Sequence, residues 1–354
     1  MPAPYCGLDN MNHIHLDGSG GLIPILYDLH RLSNKLFPLN PWQELKPQIT
    51  ALFQDPHKGI VEVFKTTTDI LQNPVTLFLA TEQCVIFYAR KGLKYIELTI
   101  APQYLTRGDG IWHKGLSIKE AIEIMIEGIK SGENKAKLEG NDIEANLLIS
   151  VGREISSGEA VNLVNIFGTC DHNYVVGIGL VCDEAGHPPE KHIPMFKRAK
   201  ELGFKTTCHA GEWVNVPPNF QKDLPLLLKN IKTTVTDLGV DRIGHATALA
   251  HDKELVKMIV DKNIGIEGCP VSNLVCGAIP DLKSLKIKEL LGAGVLYSLN
   301  SDDDIFMPNL DETFQLCNDV YNFTPEEKQQ MRLNAWKTRF GNRKPVPRDI
   351  APFL

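Results

Sequence analysis

YVVGIGLVCDEAGHPPEKHIPMFKRAKELGFKTTCH, residues 174–209, contains the unit from which the fold follows. Its first eight residues, 174–181, are a nearly unbroken apolar and β-branched run. Residues 189–203 read as a helix, and 204–209 return to a short strand-like run. Near-continuous apolar runs of this length suit strands buried on both faces of a parallel sheet. A strand, a helical crossover and a second strand make one βαβ unit.

Outward from that unit, similar runs recur at about 11–16, 94–100 and 143–151 before it and at 240–245, 264–269 and 294–300 after it. The segments between carry helix signals. Ser117 and Glu120 form a capping box ahead of Ile118, Ile122, Met125 and Ile129 on one face. Thr324 stands as an N-cap, with Pro325 at the first helical position and Glu327 three residues past the cap. Residues 222–238, 251–262 and 282–292 also read as helices. Eight strands joined by helices in 354 residues predict an α/β fold, a (β/α)8 barrel of the TIM type. A doubly wound open sheet is the alternative, but so many regularly spaced units favour closure. No repeat or low-complexity linker divides the chain, so it is read as one barrel domain over residues 1–354. The long insertion between the first two strands, about 20–93, is helical by pattern and lies where a lid over the barrel mouth is expected.

Composition excludes several classes of function. Lys and Arg number 37 against 43 Asp and Glu, a net charge of −6, so the chain lacks the cationic footprint of a nucleic-acid binder. It has no polybasic run for an anionic membrane and no apolar stretch long enough to span one. The opening MPAPYCGLDN has neither the basic nor the apolar region of a signal peptide. The eight cysteines are scattered without a C-x-x-C pair, which suits buried thiols in a reducing compartment. These features predict a cytoplasmic enzyme acting on small molecules, with no nucleic-acid or membrane partner. A homodimer stays open.

The residues that carry chemistry gather at the carboxyl ends of the expected strands, where barrel active sites lie. His13 and His15 come first; residues i and i+2 of a strand face the same side, so both imidazoles can hold one ion. A lone H-x-H is weak evidence. Asp17 and a glycine-rich turn, Gly18-Ser19-Gly20-Gly21, follow directly. The second element is His209-Ala210-Gly211-Glu212, the third Gly244-His245, and the fourth Asn300-Ser301-Asp302-Asp303-Asp304. Three successive carboxylates repel one another unless a cation offsets them. Histidine and aspartate ligands with an open position are what a catalytic zinc site requires.

HIHLDGS, CHAGE, RIGH, CPVSN and NSDD, in this order and spacing, resemble the adenosine deaminase family of the metal-dependent amidohydrolase superfamily. The resemblance runs from about residue 11 to 340 and includes weaker stretches, FKTTTDILQNP, KYIELTIAPQYL and NAWKTRF. It implies a (β/α)8 barrel with one zinc that hydrolyses the 6-amino group of adenine compounds and releases ammonia. Carried over position by position, the metal ligands would be His13, His15, His209 and Asp302, with His15 also against the substrate. His245 would orient and deprotonate water, with Asp302 accepting a hydrogen bond from it. Glu212 would give a proton to purine N1, which lets the ring accept electrons during attack at C6. Asp303 would hydrogen-bond N7, the backbone N–H of Cys182 would face N3, and Asp17 would bind a ribose hydroxyl. The H-x-E and P-C-x-x-C set of the cytosine-type zinc deaminases is missing, as are H-E-x-x-H and G-x-S-x-G.

Four positions depart from the family pattern. Cys182 stands where adenosine deaminases usually have glycine, Thr99 replaces an arginine, and Asp304 replaces the proline of SDDP. The stretch 184–191, EAGHPPEK, is similar to adenine deaminases, although these usually carry glutamate where this chain has Asp17. The sequence is therefore read as a zinc-dependent deaminase of adenosine and deoxyadenosine, forming inosine in purine salvage. Adenine, a modified adenosine or aminodeoxyfutalosine are alternative substrates, and a catalytically silent binding barrel is the alternative of another class. His30, His57, His113, His172, His192 and His251 are expected at the solvent, and His187 in turn chemistry. Ser272 and Asn273 divide evenly between supporting the site and plain structure. Cys208 belongs to the opposite strand face, in the core. Phe64 resembles an apolar lid position, with helix packing the blander reading.

Overall fold

The computed structural model of the chain describes residues 6–32, 64–65, 67–108 and 115–354. Eight strands lie side by side in chain order: β1 (Asn10–His15), β2 (Tyr95–Ile100), β3 (Glu144–Gly152), β4 (Val175–Val181), β5 (Lys205–Ala210), β6 (Arg242–His245), β7 (Gly265–Gly268) and β8 (Leu296–Leu299). Each is parallel to the next. A parallel bridge between Ile14 and Asp302 brings the chain after β8 back to β1. At that seam Asn300 Oδ1 accepts from the N–H groups of Asn12 and His13 at 3.0 and 3.1 Å. A side-chain amide thus stands in for rungs of the ladder, and the sheet is a nearly closed (β/α)8 barrel. The expected strands begin and end within two residues of the observed ones.

Among the described residues the helices are α1 (Leu26–Leu32), α2 (Pro74–Arg90), α3 (Ile118–Leu138), α4 (Ser157–Phe167), α5 (Ile193–Glu201), α6 (Phe220–Thr233), α7 (Lys253–Asp261), α8 (Pro270–Val275), α9 (Ile287–Gly292), α10 (Leu310–Tyr321) and α11 (Pro325–Thr338). The capping boxes of Ser117 with Glu120 and Thr324 with Glu327 are both formed. Two helices that the sequence reading passed over, α4 and α10, open on capping boxes of their own, Ser156 with Glu159 and Asn309 with Glu312. The insertion is helical where it is described, in Gly20–Ile25, α1, Asp69–Leu71 and α2. His57 and His113 lie outside the described residues, as does the side chain of His30.

Alternation along the strands sends Ile96 and Leu98 outward into the apolar layer beneath the helices and Glu97 inward. Inside, below the carboxyl ends, the barrel is crossed by an ion network. The Arg242 guanidinium bridges Glu97 and Glu267, lies 3.4 Å over the Phe340 ring and donates to Thr338 O at 2.8 Å. Tyr95 OH and the Phe340 N–H also donate to Glu97 Oε1. Buried charges stand only when paired and hydrogen-bonded, as here. Burial alone would raise the Glu267 carboxyl, yet the Arg242 charge and hydrogen bonds from His13 and Thr207 hold it down at about 2.

One histidine expected at the solvent is inside. His192 is fully buried, and its Nε2 lies 2.9 Å from Arg153 O. A histidine at a helix start reads as surface, but the loop after β3 folds across it. Burial pushes its pKa down to about 4. His251 is half-buried, with Nε2 3.1 Å from Ser284 O, while His172 is exposed.

Candidate active site

Parallel strands bring their carboxyl ends to one mouth, so the ends of β1, β5, β6 and β8 converge. There His13, His15, His209, His245 and Asp302 meet. The His13 ring centroid lies 5.4 Å from His15, 4.6 Å from His209 and 5.2 Å from His245. Asp302 Oδ1 is 3.1 Å from His13 Nε2 and 3.3 Å from His15 Nε2. Donor atoms of His13, His15 and His209 lie within 4.8 Å of one another, as do those of His13, His245 and Asp302. This packing needs Gly244, where a Cβ would stand 3.0 Å from His13 Cε1 and 3.1 Å from His209 Cδ2.

Two of these residues have unusual backbones. His245 and Asp302 both have φ of 67°, in the left-handed region that non-glycine residues seldom occupy. Such strain persists only where the surroundings hold it, and it clusters at functional sites. Cys182, at the end of β4, has φ of 74°, which gives a physical reason for the glycine common there.

Each side chain is held by a neighbour. His13 Nδ1 lies 2.7 Å from Glu267 Oε2, so the ion network under the mouth reaches into the cluster. Ser272 Oγ donates to Asp302 Oδ2 at 2.7 Å, and Asn273 Oδ1 sits 2.9 Å from His245 Nδ1. Both residues therefore buttress the site. With Nδ1–H donating to Asn273, His245 Nε2 keeps its lone pair, 3.5 Å from Glu212 Oε2. Glu184 accepts from the backbone N–H of Gly211 and of Glu212, each at 3.0 Å, and fixes the turn that carries Glu212. Cys208 is buried in the core, as its strand face implied.

Electrostatics separate the groups by role. Burial, with the Asp302 and Glu184 carboxylates beside it, raises Glu212 well above the usual carboxylate range. Burial and the charges of Asp302 and Asp17 do the same to Asp303, whose Oδ1 is buried without a partner. Burial raises Asp17 as well. In Asp302 burial is outweighed by hydrogen bonds to His13 and His15, and the carboxyl is held well below its ordinary range. Burial, then the neighbouring imidazoles, holds His209 well below a free histidine, and burial holds His245 at about 4.

The donor set fits a zinc ion. Three imidazoles and a carboxylate, the ligand types zinc takes, bring their donor atoms close together at one mouth, and Asp302 Oδ1 already lies 3.1 Å from His13 Nε2 and 3.3 Å from His15 Nε2. The rest of the expected set lies around them. Asp17 follows β1 and is buried, and Asp303 packs so tightly on the glycine turn that a Cβ at Gly18 would be 1.8 Å from its Oδ1. The half-buried Phe64 ring lies 6.3 Å from His15 and 5.6 Å from Phe306, over the mouth. Sequence reasoning missed Glu267, Arg242, Glu184 and Tyr88. A lone carboxylate inside the apolar run 264–269 was a signal for Glu267; Glu184 and Tyr88 left none.

A nearly closed barrel with histidines and an aspartate at the carboxyl ends of its strands has the architecture of the metal-dependent amidohydrolases. The chain belongs to the adenosine deaminase family, whose model matches residues 10–346. It is 28% identical to an adenosine deaminase of Clostridium botulinum over 334 residues, 93% of this chain and 92% of that one. The fold is shared with an adenine deaminase from Arthrobacter aurescens (TM-score 0.78, 22% identity, 95% of each chain). It is also shared with a Burkholderia ambifaria amidohydrolase solved with bound zinc (TM-score 0.77, 21% identity, 97% and 90% covered). The N6-methyl-AMP deaminase of Arabidopsis thaliana has it too (TM-score 0.73, 21% identity, 96% and 94% covered). No helix among the described residues is long and apolar enough to cross a membrane.

Proposed function

We propose that this protein is a zinc-dependent deaminase that hydrolyses the 6-amino group of adenosine or deoxyadenosine. Water supplies the new 6-oxo oxygen and ammonia leaves. The observation that carries the reading is the convergence of four metal-type ligands, His13, His15, His209 and Asp302, with a neutral base, His245, and a protonated acid, Glu212. Zinc bound there would lower the pKa of water to about 7 and so supply hydroxide at neutral pH.

The chain's own residues do the remaining work. His245, with its lone pair on Nε2, takes and holds the proton of the attacking water. Glu212, kept protonated by burial, donates to purine N1 as C6 loses aromaticity. Asp303 Oδ1, buried and unpartnered, addresses N7, and the Cys182 N–H addresses N3. Asp17 accepts from a ribose hydroxyl; among the described residues its carboxylate has no side-chain hydrogen-bond partner. Asp17 and Glu154 are both close enough to Cys182 to raise its thiol, after burial.

Adenine is a second reading, favoured by one feature: the half-buried Cys182 brings a side chain where the family pattern has glycine, which would narrow the pocket near the purine N3 edge. Amine release by zinc-loaded protein, ammonia from adenosine, deoxyadenosine, adenine and aminodeoxyfutalosine and methylamine from N6-methyl-AMP, decides between them. Adenosine and deoxyadenosine should have the highest kcat/KM. Adenine ahead of both selects the second reading, and no amine released from any of them removes the deaminase reading.

A further inference from the structure

The turns after β1 and β8, which carry Asp17 and Asp303, are joined by a buried polar latch. Asp304 Oδ1 accepts from the Gly20 N–H at 2.5 Å and from Tyr88 OH at 2.6 Å. Tyr88 OH in turn lies 2.9 Å from Ser19 Oγ, which accepts from the Gly21 N–H at 3.0 Å. A backbone bond from Ile305 N–H to Gly18 O, 2.9 Å, closes the same junction. Tyr88 comes from α2, which packs so closely that a Cβ at Gly21 would stand 2.6 Å from Cys84 Cα. One carboxylate oxygen thus ties together three segments far apart in the chain.

Apolar packing alone does not call for these groups. A buried carboxylate costs several kcal/mol in desolvation unless its hydrogen bonds are well made. Here they end on the backbone of the turn that presents Asp17, two residues before Ser19, while Gly18 rests directly on Asp303. Any shift of the turn therefore changes the gap between Asp17 and Asp303. Side chains that hold a binding group within about half an ångström set how much binding energy reaches the reacting end.

We propose that Asp304 and Tyr88 are positioning residues for substrate specificity: their latch holds Asp17 where it can take a ribose hydroxyl, and so selects nucleosides over free bases. The proposal rests on the deaminase reading above. It assigns a purpose to Asp304, which stands where the family pattern has proline.

The test compares kcat and KM for adenosine and for adenine in zinc-loaded wild type, Tyr88→Phe, Asp304→Asn, Asp17→Ala and the Asp17→Ala/Tyr88→Phe double variant. Zinc content and Tm are measured alongside. Each latch variant should raise KM for adenosine by about three- to tenfold with kcat changed less than about twofold, as for loss of uniform binding. Adenine should respond less than twofold. In the double variant Tyr88→Phe should add nothing for adenosine to the loss from Asp17→Ala, because it acts through that carboxylate. Equal losses on both substrates, or additive losses in the double variant, overturn the latch while leaving the deaminase reading intact. A zinc-loaded wild type that turns over neither adenosine nor adenine removes the adenosine reading, and the latch's role with it.

Discussion

Two buried polar regions lie one above the other inside this barrel, and they are built on opposite terms. In the floor, Glu97, Arg242 and Glu267 pair with one another and fill their remaining hydrogen bonds with Tyr95, Thr207, Thr338 O and the Phe340 N–H. At the mouth, imidazoles face imidazoles, Asp303 Oδ1 has no partner among the described residues, and His245 and Asp302 keep strained backbones. A satisfied network holds the barrel together. The two meet where Glu267 reaches His13, which turns the floor into a support for the mouth.

The comparison can be broken first at the mouth. His13→Ala should abolish both metal binding and turnover, taking zinc from about one per chain to a small fraction. Metal analysis after dialysis reads this directly, and stoichiometric zinc in the variant would remove His13 from the ligand set. Next, Glu212→Gln should keep the zinc and the Tm but lower kcat by about 10²–10⁴-fold, since an amide cannot deliver the proton. Near-normal turnover in that variant would take Glu212 out of the mechanism.

The floor should answer differently. Glu267→Gln leaves Arg242 paired with Glu97 alone in the buried interior, so unfolding free energy should fall by about 1.5–3 kcal/mol. Zinc affinity should fall by about 10–100-fold through His13. Urea unfolding and metal titration measure the two separately. A variant that loses metal affinity with no loss of stability would place Glu267 in the mouth, and the contrast would collapse.

The smallest effect lies outside both regions, at His192. Its folded pKa, about 4, is below the ordinary histidine value, so its contribution is complete above pH 6.5 and is lost as pH falls toward 4. His192→Gln can still donate to Arg153 O, so it should match wild type at pH 8 and lose less stability than wild type between pH 6.5 and 4. Tm curves against pH that run parallel would sink this assignment.

The periodic and local features were legible from the sequence. Strand runs such as 94–100 and 174–181, capping boxes such as Ser117 with Glu120, and the H-x-H pair are set by neighbours a few residues apart. That is also why the barrel and the cluster at its carboxyl ends followed from succession alone: parallel strands joined by crossovers must all end at one mouth. The partners were decided only in three dimensions. His13 finds Glu267 across 254 residues, and Tyr88 finds Asp304 across 216. Asn300 heads the NSDD motif, but its role in closing the seam came only from the fold, and His192 is buried by a loop from another strand. Periodicity reports which way a side chain faces. What waits for it there depends on strand register and helix packing, and those are properties of the whole closed sheet.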